Sequence, residues 1–196
     1  MKRTVFVALA VLLLALVPSS RMSAAKYDEE VSNDIYVSYG RGTVGEMLNM
    51  FAGVLVTPFL GEGTDLIKVN STGSVIAGYN RMLENWFWLG GSLSYESHSC
   101  RYEKRGESGE FKTDFFTLAP MLSAKANWLC REHVALYSRI AAGMFVLVGD
   151  DSDMSASFAF QASPLGCEFG NSGVRGFTEF GFGMEGIVQV GMRFRF

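Results

Sequence analysis

The last nine residues alternate without a lapse: Val188, Val190, Met192, Phe194 and Phe196 fall on one side of an extended strand, Gln189, Gly191, Arg193 and Arg195 on the other. This excludes a helix, whose apolar positions recur every three or four residues. The same alternation returns in seven earlier stretches, giving eight strands over about 34–40, 72–82, 86–98, 111–126, 133–148, 154–168, 174–183 and 187–196. In the fourth, Phe116, Leu118, Pro120, Leu122, Ala124 and Trp128 oppose Thr117, Ala119, Met121, Ser123, Lys125 and Asn127. In the fifth, Val134, Leu136, Ile140, Met144 and Val146 oppose Tyr137, Arg139, Ala141 and Gly143. Met154, Phe158 and Phe160 oppose Ser155, Ser157, Gln161 and Ser163 in the sixth; Phe180, Phe182 and Met184 oppose Arg175, Glu179 and Gly181 in the seventh.

Alternation alone does not say which face is inside, because a soluble sandwich or a ligand-binding barrel alternates as well. Composition decides the polarity. Only 19% of the 196 residues are charged while 48% are hydrophobic and 13% aromatic, so the chain cannot be disordered and has too few charges to cover a wetted second face. That second face is instead Gly, Ala, Ser and Thr with a few long polar groups, which suits the cramped interior of an eight-stranded barrel. The fold expected is all-β: an eight-stranded antiparallel up-and-down transmembrane barrel, apolar outside and polar inside. A net charge of −3 gives no basic field for nucleic acid.

The N-terminus reads as a secretory signal peptide over residues 1–25: Lys2 and Arg3, an apolar run from Val5 to Val17, then Ser23-Ala24-Ala25 as the cleavage site. Its removal takes three of the 17 basic residues and none of the 20 acidic ones, so the formal charge falls from −3 to −6. Residues 26–33 form a short lead and 34–196 the barrel. Between the first two strands lies a long outer connection. Thr43 and Glu46 there fit a capping box, and Met47, Leu48, Met50, Phe51, Val54 and Leu55 follow at helical spacing until Pro58, predicting a short helix within 43–60.

The leader, the eight segments, the opening DIYVSYG, the pair GYNRMLENWFWLGGSLSYES, the FFTLAP of the fourth strand and the terminal VGMRFRF resemble small outer-membrane β-barrels of the OmpA/OmpX type, in particular the Bacteroidetes-like version. The resemblance implies a multi-pass location in the cell outer membrane, with outer-membrane lipids, periplasmic chaperones and the barrel-insertion machinery as partners. Val188, Val190, Met192, Phe194 and Phe196 resemble the terminal signal that this machinery reads. It implies no reaction.

Residues that carry chemistry are few, and no enzymatic activity or cofactor is indicated. His98 and His133, the only histidines, fall at opposite ends of the barrel, so no zinc site is expected. Glu96, Ser97, His98 and Ser99 cluster at the outer end of the third strand, where an outer-membrane lipid-modifying esterase using His98 is the enzymatic alternative. A soluble periplasmic ligand-binding barrel is the other alternative. Adjacent strand residues point to opposite faces, which sets Ser97 against His98. Asp150, Asp151 and Asp153 lack the spacing of a calcium loop and read as a solvated turn. Lys125, Arg139, Arg175, Glu179, Arg193 and Arg195 all fall on the lumen face and are expected to form a charge network around Glu179. Cys130 and Cys167 both fall near the periplasmic end and are the candidate disulfide.

Overall fold

A computed structural model describes residues 32–47, 64–104, 110–149 and 154–196, with side chains at all of these except 64–69, 100–104, 110–113, 149 and 154. The leader and nearly all of the 26–33 lead, the expected helix beyond Met47, and Asp150 to Asp153 lie outside the described residues.

Eight strands form one closed antiparallel barrel in chain order: β1 (Asn33–Arg41), β2 (Thr64–Glu84), β3 (Phe87–Lys104), β4 (Glu110–Cys130), β5 (Val134–Gly149), β6 (Met154–Gly170), β7 (Val174–Gly183) and β8 (Val188–Arg195). β8 closes on β1, with Ile35 opposite Phe194 and Val37 opposite Met192. The chain ends meet at the same rim, where Asn33 and Phe196 exchange backbone hydrogen bonds of 2.9 and 3.0 Å. Closure removes the free edges that an open sheet would expose.

Every strand expected from alternation is present. β2, β3 and β4 run beyond their expected ends, because segments such as Thr64 to Ser71 and Ser99 to Lys104 carry polar residues at successive positions and so lack alternation, while their backbones still pair. At 21 residues β4 is about 70 Å of strand, far more than the nine to eleven residues that cross a hydrocarbon layer. β1, β7 and β8 are short, at 9, 10 and 8 residues. The barrel is therefore level at the end carrying the turns 85–86, 131–133 and 171–173, and rises at the other into a wall made of β2 to β6.

The side chains sort as the alternation requires. Leu122, Ile140, Phe158, Phe180, Val190 and Phe194 lie on the outer surface, with Leu122 79% and Phe158 69% exposed. Asp34, Lys125, Arg139, Glu168, Glu179 and Arg193 are inside and buried. Met184 is the exception, buried rather than outward, because β7 stops at Gly183 and the following turn redirects the chain. Gly183 (φ 147°) and Gly186 (φ 109°) bracket this turn in conformations that side-chain-bearing residues rarely adopt, and they roll Met184 and Glu185 into the lumen.

Two inward tyrosines explain two other glycines. Tyr36 and Tyr137 lie across the backbones of their cross-strand partners Gly78 and Gly166, where an added Cβ would sit 2.3 and 2.4 Å from the rings. Gly166→Ala is therefore expected to lower stability by about 1–3 kcal/mol, measured as a shift in the urea midpoint of unfolding.

Candidate functional site

The lumen is filled by side chains. Trp88, Arg139, Arg193, Tyr36, Tyr137 and Lys125 are the largest fully buried groups among the described residues. They are held in two linked clusters.

Nearer the level end, Glu168 from β6 is the hub. It meets Arg193 at 2.6 Å and Lys125 at 3.2 Å through one oxygen, and Arg195 through the other. Asp34 of β1 lies 3.5 Å from both Lys125 and Arg193 and accepts a 2.7 Å hydrogen bond from Asn80. Above this, Arg139 bridges Glu179 (3.0 Å) and Glu185. Tyr137 donates to Glu179 at 2.8 Å, Ser92 to Glu185 at 2.7 Å, and Gln189 to Glu185 at 3.1 Å. Four acids, Asp34, Glu168, Glu179 and Glu185, thus face four bases, Lys125, Arg139, Arg193 and Arg195. Balance matters here, since an uncompensated charge in a closed interior is costly.

Aromatic faces complete the shell. The Arg193 guanidinium lies 4.9 Å from the Phe177 ring centre and 5.2 Å from that of Tyr36, and the Lys125 ammonium 4.5 Å from Trp88. Tyr36 meets Phe177 edge-on at 5.8 Å.

All six residues expected in the network are on the lumen face, but its centre is not Glu179 alone. Glu168, Asp34 and Glu185 carry most of the pairing, because each lies where register or a turn brings it among the cations. Arg175 lies at the level end and donates to the carbonyl oxygens of Asn171 (3.2 Å) and Glu132 (2.9 Å).

The outer mouth holds a second cluster. Glu96 and His98 project inward from β3, with His98 Nε2 3.8 Å from Glu96 Oε1 and its ring stacked on Phe115 at 4.8 Å. The same Glu96 oxygen accepts hydrogen bonds from Ser71 of β2 (2.5 Å) and Thr43 of the first connection (2.9 Å). Residues 44–47 form one helical turn, capped as the sequence predicts: Thr43 Oγ1 accepts from the Glu46 amide at 2.9 Å, and the Glu46 carboxylate accepts from the amides of Thr43 (3.2 Å) and Gly42 (2.5 Å). Thr43 and Ser71 gave no sign of this role in the sequence, since only the folded register sets them opposite Glu96. Ser97 lies on the face opposite His98. His133 stands in the turn at the other end of the barrel, its side chain 68% exposed.

The expected disulfide is not formed. Cys130 pairs with Ala135 and Cys167 with Leu136, so β5 runs between the two cysteines, and Ala135 and Leu136 face opposite sides of the sheet. A separation of two inter-strand spacings, about 9–10 Å, exceeds what a disulfide spans. Alkylation after unfolding without reductant is expected to label both Cys130 and Cys167, read by peptide mass mapping.

Neither a protein-family model nor a curated protein sequence matches the chain.

Proposed function

We propose that this chain is an integral outer-membrane β-barrel of the OmpA/OmpX kind, with a surface-interaction role. The observation that supports it most is the outer surface. Along the band of Val37, Leu93, Leu122, Ile140, Val190 and Met192, outward positions carry no charge, and the outward hydroxyls turn back on the backbone: Ser138 donates to the Pro164 carbonyl at 2.6 Å and Thr178 to that of Gln189 at 3.1 Å. Surfaces made this way suit hydrocarbon, which offers polar groups no partner. The exposed Trp86, Phe169 and Phe196 toward the level end and Tyr39 and Tyr95 toward the other would suit interfacial girdles. The outward Val188, Val190, Met192, Phe194 and Phe196 fit the insertion-machinery signal, with periplasmic chaperones carrying the exported chain to it.

The raised wall is the part available for interaction. β6 pairs with β7 only up to Gln161 opposite Gly183, and Phe160 O accepts from Met184 N. The stretch 154–159 therefore has no strand on that side among the described residues. Ser155 to Phe158 are exposed there, and the row of backbone groups suits an extended partner segment.

Cell fractionation tests the reading. The protein is expected in the outer-membrane fraction, soluble only in detergent and migrating differently on gels before and after boiling. Release by osmotic shock, the behaviour of a soluble periplasmic barrel, would contradict it.

A further inference from the structure

Above the closed charge network the lumen changes character. Ala119, Met121, Ala141, Ala159 and Met184 form a buried apolar cluster, with Val44 and Phe145 packed against it. Beside this cluster stands Glu96, 2% exposed. Its carboxylate forms no salt bridge with Lys or Arg among the described residues, in contrast to Asp34, Glu168, Glu179 and Glu185; the basic group beside it is His98, 3.8 Å from Oε1 and on the same oxygen as both hydroxyls. Both hydroxyl donors go to Oε1, and Oε2 accepts no hydrogen bond among the described residues. A buried carboxylate with an idle oxygen is short of positive donors.

Two consecutive residues show what the place accepts. Thr43 puts a hydroxyl on Glu96 while Val44 puts a branched aliphatic group on the apolar cluster. The footprint is a hydrogen-bond donor next to a short aliphatic chain. Replacing that hydroxyl by an ammonium would put a charge-assisted donor there, with donors enough for both carboxylate oxygens, Oε2 included. The donor must be compact, since a Cβ at Gly45 would lie 3.1 Å from His98 Cε1 and 3.4 Å from Glu96 Oε2. Anions are disfavoured by Glu96 itself.

We propose that the outer mouth is a binding site for a small primary ammonium with a short branched aliphatic chain, held by Glu96 and the Ala119–Met121–Ala141–Ala159–Met184 cluster, with Thr43 and Val44 as its resident occupant. Ligand and the 44–47 turn compete for one place. The site lies inside the barrel, so its failure would leave the membrane reading intact.

The test uses the full mature chain folded in nanodiscs, with labelled methionine methyls, titrated with 3-methylbutylammonium and, as the neutral control, 3-methylbutan-1-ol. Saturable shifts of the Met121 and Met184 methyls are expected, with the alcohol about tenfold weaker, as for the loss of a charge-assisted contact. Glu96→Gln should abolish the preference for the ammonium. Val44→Ala should tighten binding by weakening the competitor, an outcome that a purely structural turn would not give. Equal affinity for ammonium and alcohol, or weaker binding in Val44→Ala, would overturn the proposal.

Discussion

Glu168→Gln is expected to be the most damaging conservative change in the protein. It keeps the volume and removes the carboxylate that Lys125, Arg193 and Arg195 share, while Asp34 stays 3.5 Å from Lys125 and from Arg193. Breaking a buried ion pair from one side costs about 3–5 kcal/mol, because the orphaned charges stay buried. A large fraction of a barrel's stability would go, read as a shift in the urea midpoint of folding into vesicles. Arg195→Gln combined with Glu168→Gln should recover part of the loss, since one cation leaves with the anion. Two independent, additive losses would mean that the pair does not act as a unit.

The second large effect lies outside. Leu122 and Ile140 are 79% and 64% exposed at mid-barrel. Arg at an exposed position of a water-soluble protein changes stability within about half a kcal/mol. On the lipid face of a membrane barrel the same change at the midplane costs about 2–4 kcal/mol, falling toward the interfaces. Ile140→Arg is therefore expected to destabilise the folded protein in vesicles by that amount. Val134→Arg, on the same strand at its level end, should cost much less. A flat response along β5 would remove the depth dependence that a bilayer imposes.

The alternation made the fold legible because each strand has one face in a closed lumen and the other on the apolar band, and a period of two records that difference residue by residue. Where the sequence sets polar residues at successive positions, as at the outer ends of β2 and β3, the record fades and the strands read short. Composition told the two faces apart but missed the rings inside: Trp88 and Phe177 look like outward residues by type, yet they supply faces to Lys125 and Arg193. Partner choice was less legible still. Glu168 becomes the hub, and Thr43 and Ser71 reach Glu96, through register between strands far apart in sequence, while Glu185 enters the lumen only because two glycines shape its turn. The two cysteines failed for the same reason, since level position does not reveal which face each takes.

The claim on which the account rests is that the bulky side chains touch acyl tails. Spin labels at Leu122, Ile140 and Val190, with one at His133 as a water-exposed reference, test it in vesicles carrying the folded protein. Collision with dissolved oxygen should be frequent, and collision with a water-soluble nickel chelate rare, at the first three sites, with the reverse at His133. Chelate contact at Leu122, Ile140 and Val190 equal to that at His133 would place those side chains in water and contradict the account.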